Sequence, residues 1–289
     1  MGRNGVAANP SAPIAMKLRL RYAKRGRGRF SSHRDVARAM EWALRRAGIP
    51  VALSHGFNPH PRLSWIGAAP TGAASEAEYL EVGVTEALDP TVAAAEIDRV
   101  LPEGLGVVDV VAVPAGATGP ALADLVDASR WLIELPGAHP DALAEGVAAL
   151  RAADAVEVER MTKNGPRTLD VRAPLVLVEV TPGGVPPSGS PEWATDAAPE
   201  DRQHPARSAV CGTLSAVVRH TTPAVRPDDV LSALRTVADL VPPVPAKATR
   251  LAQGRLDECG ELLDPFEADR PVPGRESDLV RHAVEDRPV

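Results

Sequence analysis

Three histidines fall in one short stretch of this chain: His33, His55 and His60. His55 and His60 flank Gly56-Phe57-Asn58-Pro59 and could serve as general acid and base in cleaving an RNA phosphodiester. One ring would accept the 2′-hydroxyl proton and another would protonate the leaving oxygen. His33 falls on the first turn of a predicted helix. The positive end of the helix dipole favours a neutral ring there, suited to act as a base or a hydrogen-bonding reader. The catalytic candidates are therefore His33 and His55, and the plainer alternative is that both support structure. No third ligand at useful spacing accompanies His55 and His60, so no metal site is assigned.

A second chemistry is carried by arginine. Arg25, Arg27 and Arg29 alternate with glycines in "RGRGR". This is neither a P-loop nor a dinucleotide fingerprint, but arginines without bulky neighbours suit phosphate contacts. Arg34, Arg38 and Arg45 follow on the predicted helix. The segment "SHGFNPHPRLSW", residues 54–65, resists both helix and strand because of Pro59 and Pro61. It reads as a ligand-facing loop. Gly56 permits a turn or close backbone approach. Phe57 is a core plug or a base-stacking ring. Asn58 shapes the turn into Pro59 or reads a base edge. The nucleic-acid-binding candidates are Arg25, Arg27, Arg29, Arg34, Arg38, Gly56, Phe57, Asn58 and Arg62.

Charge is distributed to match. The chain has a net charge of -6, yet residues 1–65 hold 13 Lys and Arg against only Asp35 and Glu41. Six of its nine aromatics, Tyr22, Phe30, Trp42, Phe57, Trp65 and Tyr79, lie in or just beyond that segment. Basic residues interleaved with rings suit a nucleic acid, cations for phosphates and rings for bases. Cys211 and Cys259 are too few for a disulfide framework, a four-cysteine zinc site or an iron–sulfur cluster held by this chain alone. The sequence has no apolar run of about 18 residues. Its first residues lack a signal peptide's apolar core. A cytoplasmic location without membrane contact is expected, and no cofactor is assigned.

These residues need a frame. Alternation in "MKLRLRYAK" predicts a half-buried strand with a basic outer face. Ser32 and Asp35 form a capping-box pattern for a helix that ends near Ala47, with Val36, Met40, Ala43, Leu44 and Ala47 as its apolar stripe. Strands are predicted at 51–54, 78–84 and 105–113, with a helix from Asp89-Pro90 to about residue 101 bearing Val92, Ile97 and Val100. The order β-α-β-β-α-β is the split βαβ, or ferredoxin-like, arrangement. It repeats as strands at 129–135, 155–161, 168–180, 208–220 and 246–254, with helices at 140–152 and 227–240. The fold class is thus α+β, two tandem ferredoxin-like domains at 16–113 and 129–254. Residues 1–15 are expected to be disordered, 114–128 a linker, 182–206 a mobile insertion, and 255–289 an irregular acidic tail.

The motifs resemble those of the radical-SAM-associated (radical-SAM-linked) protein family, a domain of unknown function. Tyr22, Lys24, Phe30, Ser32, His33 and Asp35 match its opening pattern. Ala47, Gly48, Pro50, Ser54, Gly56, Phe57, Asn58, Pro59 and Pro61 continue it, followed by Gly72, Ser75, Glu78 and Tyr79, then Lys163, Gly165 and Asp170. The usual Arg-Thr-Glu-rich closing strand is replaced here by "AKATRLAQGRLD". The resemblance implies a radical SAM enzyme as a partner on another chain, supplying the cluster this one lacks, and a place in RNA- or ribosome-linked metabolism. Three functions follow: an RNA-binding accessory protein, an RNA-cleaving or RNA-modifying enzyme using His33 and His55, or a protein–protein adaptor.

Overall fold

The computed structural model describes residues 12–55, 57–181 and 211–270. Gly56, the expected insertion at 182–206 and residues 1–11 lie outside them. The first half contains β1 (Met16–Lys24), α1 (His33–Arg46), β2 (Leu63–Ile66), β3 (Ala74–Val84), α2 (Pro90–Asp98) and β4 (Leu105–Pro114). The second contains β5 (Ala128–Pro136), α3 (Pro140–Ala152), β6 (Glu157–Thr162), β7 (Gly165–Asp170), β8 (Leu175–Thr181), β9 (Cys211–Arg219), α4 (Pro227–Ala238), β10 (Lys247–Leu256) and β11 (Leu262–Leu263).

The helices start where their caps are. In α1 the Ser32 hydroxyl accepts from the Asp35 amide at 3.3 Å, and Asp35 accepts from the Ser32 amide at 3.2 Å. Asp89 caps α2 ahead of Pro90. Val36, Met40, Ala43 and Leu44 are buried as the stripe requires. In α2, Ala93 and Ile97 point inward while Val92 is exposed, contrary to the expected stripe.

One nine-stranded mixed sheet runs β4-β1-β3-β10-β5-β9-β8, with β2 on β3 and β11 on β10. The two halves repeat one antiparallel order, β4-β1-β3-β2 and β10-β5-β9-β8. They join where β10 runs parallel to β3, pairing Thr249 with Ala74 and Arg250 with Ser75. The coarse α+β expectation therefore stands, with four helices among the described residues, but the halves share one sheet. The far edge of β3 is divided between β2, opposite residues 79–82, and β10, opposite 74–75.

Four element assignments need correction. Residues 51–54 make only isolated bridges, Val51 to Val84 and Leu53 to Pro61; Val84 is the last residue of β3, so no ladder can grow there. The strand at 168–180 is two strands, broken at 171–174, where Asp170 accepts from the Arg172 amide at 2.9 Å. β6 and β7 form a separate hairpin rather than joining the large sheet. β3 begins at Ala74, four residues before the predicted 78.

The presumed linker and tail also pack. Leu122 and Val126 are buried with Ala77, Tyr79, Val111 and Phe266 in a small cluster. Arg255 and Leu256 complete β10, and Leu262–Leu263 pair back on them. Three acidic residues between 255 and 270 are held in ion pairs: Asp269 with Arg19, Glu261 with Arg130 and Asp264 with Arg270.

Candidate nucleic-acid interface

The basic outer face expected on β1 is neutralised from within. Lys17 reaches Glu81 at 2.8 Å, and Arg19 reaches Glu81 at 3.0 Å and Asp269 at 2.6 Å. Arg21 reaches Asp109 at 3.2 Å. Arg25, a predicted nucleic-acid contact, grips Glu76 with a 2.7 Å bond from Nε and a second from its guanidinium. That pairing raises its pKa above the ordinary arginine value. The sequence pattern could not show this, because the carboxylates come from β3, β4 and the C-terminal segment.

What remains is a smaller set. Arg27, Arg29, Arg34, Arg38, Arg45, Arg46 and Arg62 have no ion-pair partner among the described residues. At about 100° per residue, Arg34, Arg38, Trp42 and Arg45 lie on the side of α1 opposite its buried stripe. Trp42 is 51% exposed, with the Arg46 guanidinium 5.5 Å from its ring centre. Asp35 forms no ion pair with these arginines among the described residues; the Ser32 hydroxyl and amide hold its carboxyl below the usual range, which keeps it ionised as a cap.

The turn ahead of α1 is fixed rather than flexible. Residues Gly26–Phe30 form a 3₁₀ turn. A β-carbon on Gly28 would stand 2.5 Å from the Gly104 carbonyl oxygen. The Arg29 carbonyl accepts from the Gly72 amide at 2.8 Å. Phe30 is 61% exposed beneath the Arg29 guanidinium, which is 4.8 Å from its ring centre.

The loop 54–62 is closed at its base. The Ser54 amide donates to the His60 carbonyl at 2.8 Å, and the His60 amide to the Ser54 hydroxyl at 3.0 Å. Phe57 is 98% exposed, so it is no core plug. His55, Asn58, His60 and Arg62 are exposed beside it. His33 packs edge-on against Trp65 at 5.3 Å, and Trp65 edge-on against Tyr22 at 6.1 Å. No hydrogen bond or ring contact joins His33 to His55 among the described residues.

A family model described as "Uncharacterized protein conserved in bacteria (DUF2344)" matches residues 17–227. The chain belongs to the DUF2344 family. No curated protein matches it. The DUF2344 span takes in β1, the arginine turn, α1 and the loop 54–62, and it ends at the first residue of α4, before β10. No helix among the described residues is long and apolar enough to cross a membrane. No group of three or more His, Cys, Asp or Glu side chains there could hold a metal ion.

Sequence reasoning missed one cluster in this DUF2344 chain. Where β3 meets β10, Glu78 and Arg250 form a buried ion pair, and Arg250 also donates to the Ser75 hydroxyl at 3.3 Å. Arg250 lies 5.4 Å from the Trp131 ring centre. Desolvation pushes the Glu78 carboxyl up, but Arg250 and the hydrogen bonds from Ser75 and the Ala69 amide prevail and hold it low. Lys24 is 2% exposed and, among the described residues, donates to the carbonyls of Ala69, at 3.4 Å, and Pro70, at 3.2 Å. Burial, its main perturber, lowers its pKa. Nearby, His220 Nε2 lies 2.7 Å from the Ser129 hydroxyl; desolvation first and the Arg250 charge second lower its imidazole pKa, although much of the residue stays exposed. Within the quoted motifs, Tyr22, Lys24, Ser75 and Glu78 were the only signal, and their partner Arg250 lies in the strand where the resemblance fails.

Proposed function

We propose that this DUF2344 protein is an RNA-binding accessory that works with a separate radical SAM enzyme in RNA modification or metabolism. Seven arginines without carboxylate partners among the described residues, together with the exposed rings of Phe30, Trp42 and Phe57, carry the reading. Arginine forks suit phosphate oxygens, and exposed rings suit bases. The radical SAM partner rests on the motif resemblance and on the two cysteines, too few for a cluster in this chain. The repeated strand order favours two fused ferredoxin-like units as the scaffold. The alternative of RNA cleavage by His33 with His55 has less support, since His33 packs edge-on against Trp65 and no hydrogen bond or ring contact joins it to His55 among the described residues.

The test is RNA affinity against salt. Single strands lose about 0.7 log units of affinity per neutralised phosphate for each log unit of salt. If all seven arginines engage, the slope approaches roughly five, not the roughly nine that 13 basic residues would give. Changing Arg34 and Arg38 together to alanine should flatten it by about 1.4. Affinity that is absent, or indifferent to salt, would sink the proposal.

A further inference from the structure

Resting on that reading, we infer that the surface takes single-stranded RNA with its bases unstacked, and rejects duplex. The exposed rings carry this. Phe30, Trp42 and Phe57 are exposed by 61%, 51% and 98%, all on the elements that hold the partnerless arginines. Duplex RNA offers such rings nothing, because its base faces are stacked inside and its deep major groove excludes side chains. A protein that read only duplex phosphates would need arginines alone. Single strands present π-faces, and base stacking on aromatics is the sequence-tolerant contribution to their binding.

The rings are also placed as base platforms rather than as an apolar docking patch. Among the described residues none of the three packs against another ring. Two of them instead carry a guanidinium, Arg29 on Phe30 at 4.8 Å and Arg46 on Trp42 at 5.5 Å. Each such pair offers a ring for a base and a cation for the adjoining phosphate. From Arg34 to Arg46 the helix extends about 18 Å, which makes this a track rather than a single pocket. Phe57, on its closed loop, supplies a further platform.

The experiment measures binding of the full chain, at low salt, to an unstructured oligoribonucleotide, to a duplex of equal length and to polyglutamate. The single strand should bind at least about tenfold more tightly than either the duplex or polyglutamate, whose residual binding at low salt is electrostatic alone. Phe30→Ala, Trp42→Ala and Phe57→Ala should each weaken single-strand binding by roughly 5-fold to 100-fold and leave residual duplex binding unchanged. These side chains are exposed, so the variants should keep the parent melting temperature. Duplex binding as tight as single-strand binding would overturn the inference while leaving the RNA reading intact. So would ring variants that bind the single strand normally. Polyglutamate binding as tight as RNA binding would overturn it in favour of a polypeptide partner. Failure to bind any RNA would remove the RNA reading itself.

Discussion

At the scale of residues, the buried charges near the β3–β10 junction set the strongest constraints. Removing one partner of a buried ion pair leaves the other uncompensated and costs about 3–5 kcal/mol. Glu78→Gln should therefore lower unfolding free energy by that order in denaturant titration, whereas Glu78→Gln with Arg250→Met should recover part of it. The same residues set an acid limit. Glu78 and Glu81 have folded pKa values below the ordinary 4.5. Their stabilisation is present above 4.5 and is lost as pH falls through the folded values. His220 has a folded pKa below 6.5. In the window between that value and 6.5 the unfolded chain binds the extra proton, so stability falls as pH drops through it. The melting temperature should decline in two stages on acidification, the first below about pH 6.5 and the second below about 4.5. His220→Asn should remove the first stage; a parent protein with a flat profile between pH 7 and 5 would refute that assignment.

At the scale of elements, local signals were legible and distant ones were not. The α1 cap, the α1 core stripe and the proline-led starts of α2, α3 and α4 could be read because each depends on residues within one or two turns. The fate of the β1 cations could not, because Arg19 pairs with residues 62 and 250 positions away. Alternation in a strand says which side chains share a face, not whether that face meets water. The early start of β3 was hidden for a related reason: Ser75 and Glu78 look solvent-directed until Arg250 is placed beside them. The packing of the arginine turn was not legible from its own residues, because Gly28 meets Gly104 only in the fold. Gly28→Ala should therefore destabilise by more than the few tenths of a kcal/mol usual at exposed sites, while Gly26, with φ +48 and open space around it, is needed for its backbone conformation. Ser32→Ala should cost about 1 kcal/mol through loss of the α1 cap. Thermal melts of the two single variants would rank them.

At the scale of the whole molecule, the C-terminal segment is part of the fold. Phe266 is fully buried and meets Tyr79 edge-on at 5.3 Å, and Asp269 neutralises Arg19. Phe266→Ala should cost about 3–5 kcal/mol, and truncation after Leu256 should cost more, since Arg19 would lose a partner as well. A truncated chain that melts with the parent would contradict this. The two-residue parallel join between β3 and β10 has a further consequence, in time rather than in space. Arg250 meets Ser75 across 175 positions of chain. During synthesis the first half emerges with one edge of the near end of β3 open and Glu78 without Arg250. It must wait for almost all of the second half before that edge is closed. Nascent chains halted before residue 247 should therefore be the species most prone to aggregate and most dependent on chaperones.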